Sequence, residues 1–129
     1  MFTQTTSGIA VSAKPRFLPE ESLDGRFVWA YTIEIENKSA DTVQLMTRHW
    51  RITDANGLTQ EVHGPGVVGE QPVIKPGDSY SYTSACPLSP SSGIMVGSYQ
   101  MLRLDDQAPL DVAVPAFSLD SPHDARLAN

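Results

Sequence analysis

Gly64, Gly66 and Gly69, in the stretch HGPGVVGEQPVIKPG from His63 to Gly77, stand at G-x-G-x-x-G spacing. Dinucleotide-binding proteins use this spacing to cradle a pyrophosphate, and they need a helix after the glycines so that its N-terminal amides face the phosphate. Here Pro72 and Pro76 follow closely, and prolines remove donors and kink any helix begun there. The spacing therefore predicts no nicotinamide or flavin site. Two other roles fit it. Glycines admit positive φ and close strand approach, so they shape a loop or bulge. Alternatively, consecutive amides form a concave nest that takes phosphate or pyrophosphate without a helix, with Lys75 or Arg48 supplying charge. Gly64, Gly66, Gly69 and Lys75 are the candidate residues for such a ligand.

The candidate metal ligands are His49, His63, His123 and Cys86, and no two of them stand at C-x-x-C or H-x-x-x-H spacing. A site built from His49, His63 and Cys86 has to be assembled across strands, so the expectation is ordinary surface or half-buried histidines and no metal site. Asp105-Asp106 is the one tight acidic pair near a strand end, and adjacent strand residues point to opposite faces, which places it in a solvated turn rather than on a magnesium ion. Ser79, Ser81 and Ser84 precede Cys86, but no G-x-S-x-G elbow marks a nucleophile with its base. The expectation is a non-catalytic protein with no cofactor. Trp50 and Tyr82 are the candidate interaction residues, on the condition that they reach the surface, because Trp and Tyr carry much of the energy of protein interfaces.

The elements that carry these residues are strands. Ten prolines and nine glycines spread through 129 residues cut the chain into pieces too short for ordinary helices. From Arg26 to Glu36, Phe27, Trp29, Tyr31, Ile33 and Ile35 alternate with the intervening residues as in a half-buried strand. TVQLMTRHWRIT reads as a second strand, and Asn56-Gly57 as the positive-φ pair of a tight hairpin returning through Leu58 to Val62. Pro76 and Gly77 fit the centre of a type II turn ahead of the strand DSYSYTSA, and Cys86 to Gly93 reads as a loop. Strands at Ile9 to Pro15, in IMVGSYQMLRL and in LDVAVPAFSL bring the total to seven or eight. That number of short strands predicts an all-β antiparallel sandwich. Bulges move side chains to the opposite face, so parity alone does not settle which of His49 and Trp50 faces inward.

The length suits one domain, 1–129, with 5–119 as the ordered sandwich and 120–129 as a mobile tail. Nine Lys and Arg against fifteen Asp and Glu leave a net charge of -6, which repels nucleic acid and anionic lipid. The single cysteine precludes an internal disulfide. No signal-peptide pattern or membrane-length apolar run is present, so the expected home is the cytoplasm.

The segment Arg48 to Met101 closely resembles the ApaG family. The likeness is carried by RHWRITDANG, GPGVVGEQPVIKPG, YTSACPL and the series Gly93, Met95, Gly97, Tyr99 and Met101. Two residues depart from the family pattern: Pro65 where an acidic residue is usual, and Ala85 where glycine is common. The resemblance implies a fibronectin type III-like sandwich. It also implies an association with cobalt resistance and magnesium efflux. Related domains in eukaryotic F-box proteins and in a polymerase-interacting protein imply a protein partner. A small phosphate ligand and direct divalent-metal binding stand as alternatives.

Overall fold

A computed structural model describes residues 2–22 and 25–122. The expectation of a mobile tail, and His123 with it, falls almost wholly outside these residues. Nine strands account for most of the described chain: β1 Phe2–Thr6, β2 Ile9–Phe17, β3 Phe27–Asn37, β4 Val43–Asp54, β5 Thr59–Pro65, β6 Val73–Ile74, β7 Ser79–Leu88, β8 Gly93–Arg103 and β9 Ala108–Leu119. No helix among the described residues is long and apolar enough to cross a membrane.

The strands form two antiparallel sheets, ordered β1-β2-β3-β7 and β5-β4-β8-β9, with β6 paired to the start of β4. Alternation explains which side of each strand faces its partner sheet. In β3, Trp29, Tyr31, Ile33 and Ile35 are buried while Thr32 and Glu34 are exposed. From the opposite sheet, Trp50, Tyr99 and Phe117 meet them, with Tyr31 and Trp50 edge to face at 5.6 Å between ring centroids. Such tilted contacts suit the ring quadrupoles. One seam of the sandwich is closed, because β1 and β2 pack along β9. Residues 2–4, which the sequence leaves ahead of the sandwich, belong to β1, where Phe2 opposes Ala13 and its ring lies 6.4 Å from that of Phe117.

Three further local features differ from expectation. The β4–β5 turn has positive φ at Gly57 alone, at 83°. Asp54 carries the remainder, its Oδ1 accepting the amides of Asn56 and Leu58, a side-chain substitute for a backbone turn. Strand β7 continues through Cys86 and Pro87 to Leu88; it is an edge strand, where a residue without an amide proton costs no ladder bond on the free side. Met46 forms a bulge, since the β4–β8 register passes from Leu45↔Met101 to Thr47↔Gln100.

Asn37 staples one end. It is fully buried, its Nδ2 donates to the carbonyls of Asp41 and Ile74, and its Oδ1 accepts from the amide and hydroxyl of Ser39. All of its side-chain polar capacity is used, which is the condition for burying an amide without penalty.

Candidate functional site

The bulge at Met46 settles the parity of β4. Beyond it Arg48, Trp50 and Ile52 face the interior, whereas His49 and Arg51 stand on the outer face. The inward set lines a cleft of about 310 Å³ that opens between the sheets at the seam bounded by β5 and β7. Trp50, Met95 and Tyr31 form its apolar floor, Gln60 and Val62 come from β5, and Ser84 to Pro87 form the other lip. Burial pushes the Cys86 thiol up to about 11 and raises the hydroxyls of Tyr31, Tyr82 and Tyr99. At neutral pH the cleft thus offers a protonated thiol and no thiolate nucleophile. The described histidines do not face it.

The glycine stretch shapes the end of the cleft beside Arg48. Gly64 opposes Arg48 across the β4–β5 ladder, and a Cβ there would lie 2.8 Å from the guanidinium Nη1. The guanidinium lies over this gap and donates from Nη1 to the carbonyls of Pro65 and Gly66, each at 3.0 Å. Past Gly66 the chain makes a two-residue turn, with positive φ at Val68 and Gly69 and paired bonds between Val67 and Glu70. Positive φ at both central residues is the geometry of a tight hairpin turn. Val67 is buried and pins the loop to the core. The amide of Gly66 donates to the bulge carbonyl of Met46, and those of Val67 and Glu70 donate to each other's carbonyls. The loop therefore presents carbonyls to Arg48, and three of its amides are engaged within the chain. Lys75 is exposed in the following turn, where its carbonyl accepts the amide of Asp78.

The two interaction candidates are both interior. Trp50 and Tyr82 are 3% and 8% exposed, and the Tyr82 hydroxyl bonds that of Tyr99. The condition set for them as surface anchors is not met, because the bulge turns Trp50 inward and the Tyr82 side chain points at the opposite sheet.

The metal candidates divide. His49 and His63 are register partners on the outer face of the second sheet, with rings stacked 3.9 Å apart at 10°. Cys86 lies in the first sheet on the interior side, so it does not join the two histidines. Glu61, which the sequence did not single out, takes its place: ligand atoms of His49, Glu61 and His63 all lie within 4.8 Å of one another. The hairpin itself carries the signal, because counting back from Asp54-Gly57 with Thr53 opposite Thr59 sets His49 against His63. Asp105 and Asp106 do sit in a turn, where Arg103 bonds the Asp106 carboxylate and holds it below its ordinary range.

Fold and cleft together define a two-sheet antiparallel sandwich of the fibronectin type III kind, open along one seam. A match to the ApaG domain covers residues 18–103. Protein ApaG of Paramagnetospirillum magneticum is 59% identical over 126 residues, 96% of each chain. That of Brucella canis is 53% identical over the full length of both. A crystal structure of an ApaA protein from Bordetella pertussis superposes with a TM-score of 0.85 at 40% identity, covering 89% of this chain and 94% of the other. The chain belongs to the ApaG family.

Proposed function

We propose that this chain is a non-catalytic binding module in which an extended segment of a partner protein adds as a strand along the free edge of β7, lowering an apolar side chain into the cleft beside it. The observation that carries the reading is the character of that edge. Exposed strand edges invite pairing, and proteins block them with short strands, charges and prolines. The other edges here are blocked in those ways. Strand β1 has only five residues, and the part of β2 beyond it carries Lys14, Pro15 and Arg16. Strand β5 has Glu61 and Pro65, and β9 has Pro109, Asp111 and Pro115. Strand β7, ten residues long, contains no Lys, Arg, Asp or Glu and only one proline, near its end.

Strand addition draws affinity from backbone hydrogen bonds and specificity from pockets that take alternate side chains. The cleft supplies such a pocket next to the edge. On this reading the association with cobalt resistance and magnesium efflux that the family resemblance implies works through the partner.

Affinity capture from cell extract tests the proposal with wild type and a Ser81→Lys/Ala85→Lys double variant. Both side chains are exposed, so the fold is retained while the edge gains charge. The proposal expects a captured protein that the variant loses at unchanged melting temperature. Equal capture by both, or none by wild type, contradicts it. Trp50→Ala is a poorer probe, because truncating a buried indole costs about 3–5 kcal/mol and confounds binding with unfolding.

A further inference from the structure

We propose that His49, Glu61 and His63 form a surface site for a borderline divalent transition ion such as Zn2+. The three side chains come from the two arms of one hairpin. His49 and His63 face each other across the β4–β5 ladder, and Glu61 is two residues before His63, on the same outer face of the sheet. Antiparallel register therefore fixes two imidazoles and a carboxylate on one patch of rigid backbone, without help from a loop.

The geometry is near that of coordination. Zinc holds nitrogen and carboxylate oxygen at about 2.0–2.2 Å, which requires ligand atoms within about 4 Å of one another. His49 Nε2 and Glu61 Oε1 are 3.1 Å apart, and every pair in the trio has ligand atoms within 4.8 Å. Small rotations of the exposed Glu61 and His63 side chains about the half-buried His49 close the remainder. Glu61 stands directly opposite Arg51 in the ladder, the obvious partner for an ion pair. Its carboxylate instead reaches the diagonal neighbour His49, which assembles the donor set before any ion arrives.

The donors select the ion. Two imidazoles suit Zn2+, Cu2+ or Ni2+, whereas Mg2+ and Ca2+ are held by oxygen ligands. Three protein ligands leave a further position for water or for a donor group from another molecule. Because the ligands span β4 and the edge strand β5, the bound ion also clips that edge to the sheet.

The test is titration of the full chain with Zn2+ alone, followed by calorimetry and by NMR of the imidazole resonances, with Mg2+ in parallel. The expected result is one Zn2+ per chain, concerted shifts of His49 and His63, a raised melting temperature and no response to Mg2+. His63→Gln and Glu61→Gln replace exposed side chains and keep the fold. Each should weaken Zn2+ binding by no less than the roughly tenfold that loss of even an outer-shell partner costs. His123→Gln is the control for the third histidine and should change nothing. The proposal is overturned by lack of saturation below about 1 mM Zn2+, by unchanged affinity in both ligand variants, or by loss of binding in His123→Gln.

Discussion

The six-membered ring of Trp50 lies against the backbone of Gly97, its register partner on β8; a Cβ on Gly97 would stand 2.5 Å from Cε3 and 2.6 Å from Cζ3. Trp50 is ringed by Tyr31, Tyr99 and Phe117 at centroid distances of 5.6, 6.4 and 6.0 Å. The indole has little room to withdraw except toward the cleft it floors. Gly97→Ala is expected to cost on the order of 1–3 kcal/mol, the usual price of overpacking, and to shift Trp50 fluorescence. Urea denaturation measures both, and an unchanged midpoint would show that the indole is not seated as described.

Gly66 and Gly69 belong to the same motif but predict unequal effects. A Cβ on Gly66 would lie 2.1 Å from the Glu70 carbonyl oxygen, at a φ of 59°. One on Gly69 would meet nothing within 4 Å, although its φ is 82°. Gly69→Ala should therefore cost only the backbone term, about 1–2 kcal/mol. Gly66→Ala adds a clash with the main chain and should cost on the order of 3 kcal/mol or more. Equal melting temperatures for the two variants would contradict this picture of the loop.

These effects bear on the phosphate alternative. An anion nest needs amides free to converge on the ligand, and those of Gly66, Val67 and Glu70 donate within the chain. Calorimetric titration with pyrophosphate or ATP is expected to give no saturating heat up to about 1 mM. A saturable signal abolished by Arg48→Met would restore the nest.

Much of this was legible in the sequence, and the failures have local causes. Strand β3 could be read from its alternation because its inward residues bury their side chains in an unbroken period of two. The face of Trp50 could not, because the bulge at Met46 leaves no signature in residue type: it is held by a carbonyl accepting from the Gly66 amide and the Gln71 side chain. Pro87 made the end of β7 look like a loop, although proline is acceptable on an edge. The His49–His63 pair was recoverable from hairpin arithmetic, whereas the role of Glu61 depended on knowing that its carboxylate bonds the His49 ring.

Alkaline pH offers an independent check on the cleft. Burial raises the Cys86 thiol from its ordinary 9.0 to about 11, so the unfolded chain gives up this proton first as pH rises. The folded state then binds more protons than the unfolded state, and stability falls with pH across that window. The contribution is whole below about pH 9 and is lost through pH 11. Tyr82 and Tyr99, also raised by burial, act in the same direction. Cys86→Ala should show a smaller loss of stability than wild type between pH 9 and 11, and parallel curves would place the thiol in solvent.

Amide hydrogen exchange along β7 tests the docking edge most directly. In the free protein, the amides of residues 79–88 that point away from β3 should exchange rapidly, and those bonded to β3 slowly. With the captured partner bound, the outward amides should become protected in alternation, as a paired strand requires. Protection confined to another edge, with β7 exchanging as before, would contradict the account.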